Sequence, residues 1–155
     1  MGASGRRQRR QRGQSLVEFS LVLIPFLFIL MAVVDLGRGI YVYNSVSQAA
    51  REIARTASVH PCTDTTCADI SASTQTTAVK ATQKGLIPGL TDSGITASCT
   101  DINDTAIPLA ACSGAYYVKV TVSVPFSVLT PLISMVAPTT MTSTSHIQIS
   151  TSRTN

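Results

Sequence analysis

Apolar positions along the chain follow three different patterns. Residues 16–34 are almost continuously apolar, interrupted only by Glu18, Ser20 and Pro25. Beyond them Leu36, Ile40, Tyr43, Ser47, Ala50, Ala54 and Ala57 recur at spacings of three and four, and Val46 and Ile53 widen that stripe. Such spacing predicts a helix whose packing face is made mostly of small residues. Asn44, Gln48, Arg51, Glu52 and Arg55 lie off the stripe and are expected to face water or a neighbouring subunit. From Ile95 onward the period drops to two. Tyr116, Val118, Val120, Val122 and Val124 alternate with Tyr117, Lys119, Thr121 and Ser123, the pattern of a half-buried strand.

These patterns predict one continuous helix over residues 14–58, stopped at His60-Pro61. About 45 residues at roughly 1.5 Å each give a rod of some 65 to 70 Å. Pro25 removes one helical hydrogen bond, which neighbouring groups within a membrane can offset. Gly37 and Gly39 are expected to loosen the helix where it leaves the membrane. A short, weakly amphipathic helix is expected over residues 68–84, ended by Gly85, with a turn over residues 86–90. Strands are expected over 95–100, 115–126 and 141–150. Met141, Ile147 and Ile149 share one face of the last strand. Residues 101–114 read as a loop, and 130–135 as a short apolar connection near the membrane. The fold class is therefore α+β: a long N-terminal transmembrane helix, a second helix and a small antiparallel sheet of about three strands.

The 19-position apolar run is close to the roughly 20 residues needed to cross a bilayer. A cleaved signal peptide would have an apolar core of about 7 to 15 residues and a small-residue cleavage site. Residues 32–37 offer only a poor one. An uncleaved span is the better reading, with any cleavage on its cytoplasmic side. Arg6, Arg7, Arg9, Arg10 and Arg12 directly precede the run and hold the N-terminus in the cytoplasm by the positive-inside rule.

That leader also explains the net charge of +4. Without residues 1–13, seven Lys and Arg face eight Asp and Glu. No basic surface for nucleic acid is left, so nucleic acid is not an expected partner. The chain divides into a basic cytoplasmic leader (1–13), a transmembrane and rod helix (14–58) and an exported domain (59–155).

Cys62, Cys67, Cys99 and Cys112 all follow the apolar run. An even number in an exported domain reads as disulfides, with three connectivities open. Cys62–Cys67 and Cys99–Cys112 are preferred because each pair brackets a short polar loop. Structural zinc would require tighter CxxC-type spacing, and neither His60 nor His146 completes a ligand pattern. No metal or cofactor is expected. Asp101, Asn103 and Asp104 are the residues of a solvated turn rather than a calcium loop.

One junction stands out. A basic leader ends in Gly13, and Glu18 follows five residues later, inside the apolar run. A carboxylate at the bilayer centre costs at least about 2.5 kcal/mol, less toward the interface, so it calls for a partner or a role. Cleavage after Gly13 would create an α-ammonium at Gln14. In a bundle that charge could pair with Glu18 of a neighbour, each relieving the other's burial. Alternatively, Glu18 reaches water at the cytoplasmic interface.

Residues 14–19 (Gln-Ser-Leu-Val-Glu-Phe), the apolar run, residues 35–38 (Asp-Leu-Gly-Arg), residues 41–44 and residues 49–52 (Ala-Ala-Arg-Glu) together resemble the TadE-like family. These are pseudopilins of the tight-adherence (Tad) pilus, a branch of the type IV pili. The resemblance covers about residues 12–55. It implies that Gly13 and Gln14 flank the bond cut by a prepilin peptidase and that Glu18 acts in assembly. Phe19, Asp35, Gly37 and Arg38 would be family motif positions. Pilins commonly carry Phe where this chain has Gln14. The implied partners are the membrane, the prepilin peptidase, other pilins or pseudopilins and the Tad assembly machinery.

The expected function is that of a minor pilin or pseudopilin in pilus assembly and surface adhesion. It would sit in the cytoplasmic (inner) membrane as a single-pass protein with its C-terminal domain outside, or extracellularly in the pilus. A type II secretion pseudopilin shares the glycine-then-glutamate logic. A signal-anchored ectodomain with a binding role is the remaining alternative. Enzyme activity is not expected: no nucleophile–base constellation and no glycine-rich phosphate loop occurs.

Overall fold

The computed structural model describes residues 4–63, 66–129 and 140–150, with side chains from Gly13 onward. The expected connection over 130–135 lies outside the described residues. The chain forms two compact units. One comprises Met1–Arg38 with Val128–Ala137, and the other Gly39–Ser127 with Pro138–Asn155.

Helix α1 spans Ser4–Val59 and passes through Pro25, Gly37 and Gly39 without ending. Its start lies ten residues ahead of Gln14, within the basic leader. Its last bond runs from the His60 amide to the Thr56 carbonyl at 2.9 Å. Pro61 has no N–H with which to continue the helix. Within the larger unit, Val46, Ala49, Ala50, Ile53, Ala54 and Ala57 are completely buried. They share one core cluster with Val118, Val120, Val122 and Val124.

The N-terminal end of the packing face differs from the expected stripe. Leu36, Ile40 and Tyr43 are exposed, at 65%, 55% and 53%. The face runs instead through Gly39 and Val42, one residue earlier. Both sets have the same helical spacing, so hydrophobicity alone selects the wrong one. Gly39 lacks a side chain, and a Cβ there would lie 3.6 Å from the Phe126 ring. A small residue at that point lets the aromatic ring approach the helix.

Helix α2 spans Thr74–Leu86, shorter at its start and slightly longer at its end than expected. Ser73 caps it, its Oγ accepting from the Thr76 amide at 3.4 Å. The helix includes Gly85, and the chain reverses at Gly89, whose φ of +83° suits glycine. Lys84 in the last turn pairs with Asp92 at 2.8 Å.

The sheet has four antiparallel strands in the order β2-β1-β3-β4. They are β1 (Ile95–Thr100), β2 (Ala106–Ile107), β3 (Tyr117–Pro125) and β4 (Thr140–Gln148). β1, β3 and β4 fall where alternation predicts them. The short β2 lies inside the expected loop, with Ile107 opposite Cys99 and Ala106 opposite Thr100. On β3 the valines are buried and the intervening residues are not. Across β3 and β4 the outward hydroxyls pair, Thr121 with Thr144 and Ser123 with Thr142. Ile149 is buried, while Met141 and Ile147 are half-buried. Disulfides join Cys62 to Cys67 and Cys99 to Cys112.

Candidate functional site: the membrane-competent helix and its exit

The residues that carry the candidate function lie on α1. From Gly13 to Val59 it contains a window long and apolar enough to cross a membrane, with a mean hydropathy of 2.6 and none of it buried. Leu16, Phe19, Leu21 and Val22 are each more than 60% exposed. An apolar surface of this extent needs lipid or other apolar helices to cover it. Among the described residues, no side chain lies within 4 Å of a Cβ placed on Gly13. Gln14 and Glu18 are one helical turn apart on the same face, both exposed. Among the described residues, Glu18 makes no ion pair. Ser20, which also interrupts the apolar run, returns its hydroxyl to the Val17 carbonyl at 2.9 Å. Its polarity is thereby satisfied within the helix.

The far end of the apolar run is built differently. Asp35 is only 4% exposed. Both of its carboxylate oxygens accept the Leu129 amide, at 3.0 and 3.1 Å. A Cβ placed on Gly37 would meet no side chain within 4 Å among the described residues. Of the motif positions, Asp35 is therefore the buried one, while Phe19, Gly37 and Arg38 face outward.

Sequence reasoning gave Asp35 no partner, because the Leu129 amide is 94 residues away in the chain. It also missed a charged cluster on the outer face of the sheet. Asp104, at φ +66°, pairs with Lys119, and His146 Nε2 lies 3.6 Å away. The Lys119 ammonium, hydrogen-bonded to Asp104, holds its carboxyl below the usual value. Burial opposes that shift, and the charges of Lys119 and His146 add to it. Asp101 Oδ1 accepts the amides of Asn103 and Thr105, both at 2.8 Å, so it closes a turn. No group of three or more possible metal ligands occurs among the described residues.

An exposed, apolar N-terminal helix joined to a disulfide-bonded α+β unit defines the class: a protein with, among the described residues, one helix long and apolar enough to serve as a membrane anchor. The sequence of that helix carries a family match. Residues 13–55 match the family of TadE-like proteins, so the chain carries a TadE-like segment that begins at Gly13 and ends at Arg55. No curated protein and no solved structure matches the chain.

Proposed function

We propose that this protein is a non-enzymatic minor pilin or pseudopilin of a Tad-type pilus. It is anchored by α1 and takes part in assembling a filament used in surface adhesion. The observation that carries this reading is the TadE-like segment starting at Gly13, with Glu18 five residues later inside the apolar part of α1. In this reading the five leader arginines keep the N-terminus in the cytoplasm. A prepilin peptidase cuts between Gly13 and Gln14. The bond must leave the helix to enter a protease site, and glycine makes that easier. It weakens a helix interior by about 1 kcal/mol relative to alanine, and it presents no side chain to the enzyme.

Cleavage removes the arginines and leaves an α-ammonium on Gln14. The exposed apolar face of α1 then packs on the same face of other pilin helices. Dispersion and hydrophobic burial are poor at choosing a register between two such surfaces. A Gln14 ammonium facing Glu18 of the next subunit supplies one, because any other register strands a charge in an apolar bundle. Glu18→Ala tests this reading. Membrane insertion should persist, since the substitution only makes the span more apolar, while filaments per cell should fall sharply. A normal filament count in Glu18→Ala cells would remove Glu18 from assembly.

A further inference from the structure

Asp35 and Leu129 belong to the same compact unit, together with the apolar part of α1. Beside them is an open apolar hollow of about 420 Å³, lined by Leu27, Leu30, Met31, Val34 and Leu129. Leu129 is 64% exposed, and the four helical residues are each about half exposed. Those four occupy the last two turns of the apolar run. The β3–β4 connection thus brings a leucine against the outer end of the helix that can cross the membrane. No Asp, Glu, Lys or Arg occurs between Lys119 and Arg153, and residues 130–138 read Thr-Pro-Leu-Ile-Ser-Met-Val-Ala-Pro.

We propose that the chain at Leu129 is a second membrane-contacting element, seated among the lipids of the outer leaflet and tethered there by Asp35. The proposal rests on the reading of α1 as a membrane span. Two observations single out lipid as the occupant. First, the hollow is lined by apolar side chains alone, four of them on the membrane-competent part of α1. Second, the tether satisfies a requirement specific to hydrocarbon. Non-helical backbone there has no water to accept its N–H groups, so each needs an internal acceptor. The Leu129 N–H has two, the Asp35 oxygens at 3.0 and 3.1 Å. In return, that N–H supports a carboxylate that is nearly sealed from water. A leucine held in this way adds apolar area at the acyl boundary without adding a second span.

The chain contains no tryptophan, so a single introduced one reports its own surroundings. The test uses the full-length protein in nanodiscs whose lipids carry bromine on the acyl chains, which quenches tryptophan only within the hydrocarbon. Three variants are compared: Leu129→Trp, Leu30→Trp in the span and Ile102→Trp in the exposed β1–β2 turn. Leu129→Trp should lose emission to a degree comparable with Leu30→Trp, and Ile102→Trp should lose none. Adding Asp35→Leu to Leu129→Trp should restore most of the emission. Quenching of Leu30→Trp without quenching of Leu129→Trp would overturn the proposal and leave the anchor standing. Absence of quenching in both would show that the anchor reading itself had failed, and the proposal with it. Quenching unchanged by Asp35→Leu would overturn the tether.

Discussion

Two carboxylates on α1 meet the same difficulty in different ways. Asp35 lies at the exit of the apolar run, buried, with a backbone amide shared between its oxygens. Glu18 lies near the entrance, exposed, with no ion pair among the described residues. Asp35 thus has a partner within its own chain, whereas Glu18 has no charged one among the described residues, and the proposed assembly supplies it from the terminus that cleavage creates on a neighbouring subunit. Asp104 shows a third solution, an exposed carboxylate held by the neighbouring Lys119 and His146. Because its folded pKa is lowered, its contribution to stability is present above the unfolded pKa. That contribution disappears as the pH falls through the lowered folded value. Asp104→Asn keeps a residue that tolerates the left-handed backbone. It should be less stable than the parent at neutral pH and converge with it in strong acid, as followed by unfolding at a series of pH values. A constant difference across the series would show that the carboxylate charge has no part in it.

The elements differ in how plainly the sequence announces them. β3 is unmistakable because four valines alternate with polar residues, and the structure buries each of them. The end of α1 is equally plain, since Pro61 cannot donate the next bond. The N-terminal end of its packing face was misread because Leu36, Ile40 and Tyr43 have the same spacing as Asp35, Gly39 and Val42. A rule based on hydrophobicity prefers the first set, whereas the structure uses a hydrogen-bonded aspartate and a glycine that admits Phe126. β2 was missed because two residues carry no period. It pairs with the end of β1 within the loop that the Cys99–Cys112 disulfide closes. A closed loop of about this length stabilises by roughly 3 kcal/mol in the chain-entropy view. Replacing both Cys99 and Cys112 by alanine should therefore lower the stability of the α+β unit by about 2 to 4 kcal/mol, read from denaturant unfolding. Alkylation of the unreduced, denatured protein should label none of the four cysteines, and four labels would refute both bridges.

For the whole molecule, charge and hydropathy divide the chain into regions with different tasks. Cationic side chains crowd the first twelve residues, the next apolar stretch exposes its side chains, and the larger unit buries a valine–alanine core. The candidate site was legible because it is a linear pattern: basic leader, glycine, glutamate, apolar run. The Asp35–Leu129 contact was not, because folding alone joins residues 94 positions apart. The central claim is that the leader is cut away after Gly13 to release a pilin-like helix. It is tested most directly by the intact mass of the protein purified from cells that contain a prepilin peptidase. The account predicts a chain beginning at Gln14, without residues 1–13; a full-length mass would contradict it and leave Glu18 without the charge that its assembly role requires.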